Sequence, residues 1–177
     1  MYLYLILLSI FIAGLLTKLA DMIADDGLKV RALFAYIIGL SYGALGAFII
    51  VSDVYLAPVV IAGIAAVIVT NKIDRKPHNL AIASMFLFLA VWGFPSVNLI
   101  LLVVFLAAGI VDEIGNDMAD RKRINGRLKR IFDYRLISDI SAFFASLITG
   151  QWIIFLGMAA FTVGYALMEM SESRLEK

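Results

Sequence analysis

Seven apolar runs, at about residues 2–20, 32–51, 54–71, 79–94, 97–115, 136–150 and 151–170, are parted only by short polar or Gly/Pro breaks. A helix needs about 20 residues to cross a hydrocarbon core of about 30 Å, so a chain patterned this way is nearly all span and short loop. Its 177 residues are 63% hydrophobic, against about 45–50% in soluble domains. The expectation is an all-α, polytopic membrane bundle of about seven transmembrane helices, one integral-membrane domain covering 1–177 and resident in the cell membrane. The first run has no basic stretch before it and no small-residue cleavage pattern after it, so it reads as a retained span and not a signal peptide. Runs 79–94 and 136–150 are short, and their crossing needs an independent check.

The loop charges supply one. Lys29 and Arg31 follow the first run, Lys72, Arg75 and Lys76 the third, Arg121 through Arg135 the fifth, and Arg174 and Lys177 the last. The joints around Ser52 and Asp53, around Phe94 to Ser96, and at Gly150 and Gln151 contain no Lys or Arg. With Lys18 near the end of the first run, all fifteen basic residues fall on one side of a seven-crossing chain, which the positive-inside rule makes cytoplasmic, with the N-terminus outside and the C-terminus inside. Tyr2, Tyr4, Tyr55, Trp92 and Trp152 fall at the predicted outer boundary, where aromatic residues favour the interface. Gly39, Gly43, Gly46 and Ala47, with Gly63, Ala65 and Ala66, are small enough to let helix backbones approach closely, which is ordinary bundle packing. The chain has no cysteine, which excludes disulfides, thiolate metal sites and cysteine nucleophiles. Nothing points to a nucleic-acid partner, and the oligomeric state is left open.

The acids are less ordinary. Of fourteen, only Asp53 falls on the outer side. Asp21, Asp25 and Asp26 close the first run, and "VDEIGNDMAD" (111–120) closes the fifth. These are helix C-termini, where a carboxylate is disfavoured by roughly 0.3–1 kcal/mol. One explanation is a solvated collar of both charge signs at the rim. The other is a site. In a helix, Asp112, Asn116 and Asp120 share a face at intervals of four, and Glu113 and Asp117 line the adjacent strip. Asp21 and Asp25 have the same spacing, with Asp26 beside them. Two facing rows of oxygen ligands suit a hard cation, Mg²⁺ (or Mn²⁺), which keeps waters and substrate phosphates in its shell. "DMIADD" (21–26) and "DEIGND" (112–117) echo one another in register, although six residues do not establish a duplication.

Other polar positions have simpler readings. Ser52 and Asp53 are expected to cap the third helix, and Ser138 and Asp139 to open the sixth. His78 is a possible base or ligand, but its place after Pro77 suggests a loop histidine facing water. Residues 121–135 combine basic residues with Ile124, Leu128, Ile131 and Phe132 at helical spacing. That is a cytoplasmic amphipathic segment lying on the inner membrane surface, either binding anionic lipid or clamping substrate phosphate.

Asn116-Asp117-Met118-Ala119-Asp120-Arg121 resembles the N-D-x-x-D-R opening of the first aspartate-rich motif in UbiA-type membrane prenyltransferases. The resemblance implies a helical bundle in which Asn116, Asp117 and Asp120 hold Mg²⁺ against a prenyl diphosphate at the cytoplasmic side. Ile124 stands where that motif has a further Asp, and the family's second acidic cluster follows the first, whereas Asp21 to Asp26 precede it. The CDP-alcohol phosphotransferase pattern fails on "DDGLKVR", because Ile23 occupies a required Asp position.

The expected function is a Mg²⁺-dependent membrane enzyme, a transferase acting on a lipid-linked or prenyl (di)phosphate at the cytoplasmic face. Asp21, Asp25, Asp26, Asp112, Asn116, Asp117 and Asp120 would hold metal, and Lys72, Arg121 and Arg127 would steady phosphate. Its partners would be membrane lipid and the isoprenoid or other lipid-phosphate substrate. The alternatives are a divalent-cation transporter or channel, and a non-catalytic membrane subunit that docks a soluble partner. Neither nucleophile nor general base is identified by the sequence.

Overall fold

Short breaks between long apolar runs leave the backbone one way to satisfy its own hydrogen bonds, and every described element is a helix. The computed structural model describes residues 2–24, 28, 30–71 and 76–175, and the side chains of 2, 76, 120 and 172–175 fall outside that description. The elements are α1 (Tyr2–Ala24), α2 (Ala32–Ser52), α3 (Leu56–Val69), α4 (Lys76–Trp92), α5 (Leu99–Asp120), α6 (Gly126–Asp133), α7 (Leu136–Thr149) and α8 (Ile153–Leu175). Four of them, α1, α2, α5 and α8, are long and apolar enough to cross a membrane, and α3, α4 and α7 are shorter apolar helices. α4 begins before the expected residue 79, which puts His78 in its first turn. α5 continues to Asp120, so the acidic stretch is helical, as expected.

The joints follow local chemistry. Asp53 caps α3, its Oδ1 accepting from the backbone N–H of Tyr55 (2.8 Å) and Leu56 (3.1 Å). Ser52 instead donates back to the Phe48 carbonyl within α2. Asn98 caps α5 by accepting from Ile100 and Leu101. Gly150, at φ 71, ends α7 in the left-handed conformation that glycine takes without steric cost.

Glycines decide which helices lie closest. A Cβ on Gly39 would strike the Pro77 carbonyl, and one on Gly43 the Ala81 carbonyl, so α2 and α4 pack backbone to backbone. The register advances in step, from Gly39 with Pro77 through Gly43 with Ala81 to Gly46 with Met85, so the two helices run parallel. Gly14 meets Phe161 and Gly164 meets Phe11 in the same manner, joining α1 to α8. Ile10 lies against Gly157 and Lys18 against Tyr165, so this pair is parallel too. α3 and α5 form a third parallel pair, with Ala66 against Gly109 and Val59 and Ala62 clustered with Leu101 and Phe105. Successive apolar helices therefore alternate in direction. The joints after α1, α3 and α5 lie at one end of the bundle, those after α2, α4 and α7 at the other.

The arrangement also repeats. α5 packs on α3 and α7 as α1 packs on α8 and α2. The cluster Ile6, Ile10, Ala13, Ile49 and Leu56 has its counterpart in Leu101, Phe105, Ala142, Ala145 and Ile154. The units α1–α3 and α5, α7, α8 thus share one packing scheme, to which α4 and α6 are added. Asp21 and Asp112, the leading residues of the sequence echo, lie on the corresponding helices α1 and α5.

Between these helices lies a cavity of about 270 Å³ lined by α1–α5, α7, α8 and Asp133 at the end of α6, near the lower end of the roughly 300–1,000 Å³ usual for small-molecule sites. Its length is walled by residues such as Ile10, Ile49, Leu56, Val60, Ile64 and Phe105. Its polar lining is gathered at one end.

Candidate functional site

The polar end draws one side chain or more from six helical elements. On α1, Asp21 accepts from the Tyr165 hydroxyl of α8 at 2.8 Å through Oδ2, and its Oδ1 lies 3.2 Å from His78 Nε2 on α4. A ring nitrogen facing a carboxylate carries the proton, so Nε2 is the N–H and Nδ1 the acceptor. Nδ1 lies 2.8 Å from the Tyr42 hydroxyl of α2, which donates to it. Tyr165, Asp21, His78 and Tyr42 form one chain of hydrogen bonds across four helices. Lys18 is buried beside it, with Nζ 5.9 Å from the centre of the Tyr165 ring.

Across the cavity, α5 contributes Asp112 and Glu113, each 1% exposed. Asp112 accepts from the Ile137 N–H (3.2 Å), the Ser138 N–H (2.8 Å) and the Ser138 hydroxyl (2.6 Å). It supplies from a neighbouring helix the cap that α7 lacks locally, since Arg135 at the N-cap position makes no side-chain cap bond. The negative carboxylate also suits the positive end of the α7 dipole. Glu113 pairs with the Arg135 guanidinium. Burial works against the charge on Arg135, but Glu113, Tyr165, Asp21 and Asp112 together outweigh it and hold its pKa above the ordinary guanidinium value. Arg135 stays cationic. Its backbone is left-handed, at φ 53, a conformation costing a non-glycine residue about 1–2 kcal/mol, and it turns the chain from α6 into α7.

This constellation is not a rim. Asp112 is thirteen residues into α5 and eight from its end, hence about 20 Å from one terminus and about 12 Å from the other. Asp112 and Glu113 lie within the Leu99–Ala119 segment that is long and apolar enough to cross a membrane. Acids at such depth are costly unless paired, and each of these has a named donor.

The positions expected from sequence are distributed unevenly. Asp21, Asp112 and His78 line or cap the same cavity, and His78 is a helical residue hydrogen-bonded on both nitrogens, not a loop residue facing water. Asp117 is turned away, with its carboxylate 43% exposed and bonded to Arg121 at 3.0 Å. Asn116 is half-buried one turn beyond Asp112, and Arg127 is exposed on α6. Asp25, Asp26, Lys72 and the side chain of Asp120 lie outside the described residues. Asp139 does not cap α7; it accepts from the Thr162 hydroxyl of α8, at 2.9 and 3.1 Å.

Among the described residues, no group of three or more acidic or histidine side chains is placed to hold a metal ion. Asp112 accepts from three N–H and O–H donors, Glu113 is held by Arg135, and Asp21 by His78 and Tyr165. Arg135, Tyr42, Tyr165 and Glu113 were not marked as site residues by sequence. Tyr42 and Tyr165 carried a usable signal, because a tyrosine well inside an apolar run needs a partner for its hydroxyl.

What these features define is an all-helical bundle with four helices long and apolar enough to cross a membrane, closed around an apolar cavity with a buried ionisable end. No known family, curated protein or solved structure matches the chain.

Proposed function

We propose that the chain is a seven-span membrane enzyme, a transferase whose cavity takes the hydrocarbon tail of a lipid-linked or prenyl (di)phosphate and whose cytoplasmic polar end works on the head. The observation that carries this reading is one apolar cavity ending in Tyr42, His78, Asp112, Glu113, Arg135 and Tyr165. A tail gains by leaving water for such walls, and ionisable groups held inside a span mark function by default. The sidedness follows from the joints at the polar end, which carry the chain's basic residues while the opposite joints carry none.

Arg135 is the cavity's fixed cation, and Asp112, Glu113 and Asp133 are carboxylates on the same lining. With Arg135 paired to Glu113 and Lys129 to Asp133, the lining has no net positive charge to attract a bare phosphate. The phosphate therefore enters with its own Mg²⁺, as a substrate-borne ion, and Arg135 supplies a further donor to its oxygens. His78, oriented by Asp21, accepts the Tyr42 hydroxyl proton at Nδ1 as Tyr42 oxygen takes a proton from an acceptor hydroxyl in the cavity. The resulting imidazolium is stabilised by Asp21, and the deprotonated acceptor oxygen bonds to C1 of the prenyl chain as the bond from C1 to the diphosphate oxygen breaks and the diphosphate leaves with its Mg²⁺.

The test uses protein purified in detergent or nanodiscs, with farnesyl diphosphate, a native membrane-lipid extract as acceptor source, and diphosphate release as readout. The expected result is Mg²⁺-dependent release that falls at least about 100-fold in His78→Ala and also in Arg135→Ala. Release no faster than in protein-free vesicles, or unchanged in both variants, would overturn the proposal. A second reading, passage of a divalent cation, is favoured by the depth of Asp112 and Glu113. Mn²⁺ uptake into liposomes containing only this protein would select it.

A further inference from the structure

A helix packed against neighbours on several sides normally leaves no space beside an interior position, and a glycine there normally marks a close contact. Gly63 of α3 is different, an exposed residue on the face of α3 that lines the cavity. A Cβ built on it meets no atom within 4 Å, although its neighbour Ala62 is fully buried. The space beside it is the central cavity, which Gly63 lines together with Gly46 of α2. Gly39 and Gly43 are different in kind, because a Cβ on either would strike the backbone of α4.

The position along the tail path follows from the register of the helices. α3 runs from Leu56, at the apolar end of the cavity, to Val69 near the level of the polar end. Gly63 is six residues short of Val69, about 9 Å back along the helix. A tail anchored by its head at Arg135 and His78 must pass this point to reach Ile10, Ile49 and Leu56. Gly46 lies across from it at a similar depth, with Met85 Sδ the nearest atom to a built Cβ at 3.6 Å.

We infer that Gly63 sets the length of hydrocarbon tail the cavity accepts: with no side chain there, the far half of the cavity stays open to a long tail. The inference rests on the proposed function. It predicts that a bulky residue at 63 closes the passage without disturbing the fold, since the added atoms enter open space and no neighbouring backbone must move.

The experiment measures thermal stabilisation of delipidated protein in detergent by octyl, dodecyl and hexadecyl phosphate with Mg²⁺, for the wild type, Gly63→Val and Gly63→Leu. Wild type is expected to be stabilised most by the longest chain. Gly63→Leu should keep its response to octyl phosphate and lose at least half of the extra stabilisation given by hexadecyl phosphate, with Gly63→Val between the two. An identical chain-length profile in both variants overturns the role of Gly63 and leaves the proposed function standing. No stabilisation of wild type by any chain overturns both. Should Gly63→Leu fail to fold, the open space beside residue 63 is itself disproved, and so is the inference.

Discussion

Asp112 shows how much one carboxylate can do inside a bundle. It neutralises the start of α7, satisfies two backbone N–H groups and ties α5 to α7, all without leaving its own helix. Asp112→Ala orphans those donors where water cannot replace it, a loss of about 1–3 kcal/mol. The expected readout is a lower thermal midpoint in detergent, with a smaller drop for Asp112→Asn, which keeps one acceptor oxygen. An Ala variant as stable as wild type would contradict this role. The spacing of acids exposed Asp112 and Asp21 as candidates because both close apolar runs. It could not separate Asp112 from Asp117, since the two differ by which side of α5 the bundle covers. It also misjudged His78: Pro77 looked like a loop marker, but proline is tolerated in the first turn of a helix, where its missing N–H has no partner to lose. The ring then sits inside, between Tyr42 and Asp21.

At the scale of elements, the close pairs were only half legible. The glycines of α2 announced a tight contact, and α4 is the helix they meet. Which helix that would be did not follow from sequence, because a small face fits any other small face. The α1 and α8 contact through Gly14 and Gly164 joins helices at opposite ends of the chain, beyond the reach of any local pattern. Gly43→Leu should prevent this packing, since its Cβ would collide with the Ala81 carbonyl and the Ser84 hydroxyl. Overpacking of this kind costs about 1–3 kcal/mol or more. The expected outcome is aggregated or degraded protein on size-exclusion chromatography, against a monodisperse peak for Gly63→Leu. Of residues 121–135, expected to be one amphipathic segment, only Gly126–Asp133 is helical, as α6, where Leu128 is exposed and Phe132 covers Gly115 of α5.

At the scale of the molecule, apolar length and basic joints gave helices in nearly the right places, and the paired helices then placed the basic joints at the end of the bundle that carries the polar cage. The absence of cysteine makes the proposed orientation simple to test. In intact cells a membrane-impermeant maleimide should label Ser96→Cys and spare Arg123→Cys, and the reverse pattern would invert the topology. What no linear reading supplied was the cavity, which exists because side chains are missing at particular points and not because of any residue that is present.

One consequence concerns the order of assembly. α1 meets its glycine-matched partner only in α8, and Asp21 receives the Tyr165 hydroxyl from that same helix. During synthesis α1 must therefore wait, its carboxylate only partly satisfied, until α8 emerges from the ribosome. Ribosome-bound chains that stop short of Tyr165 should remain protease-sensitive, and the cavity should close only once α8 has been made.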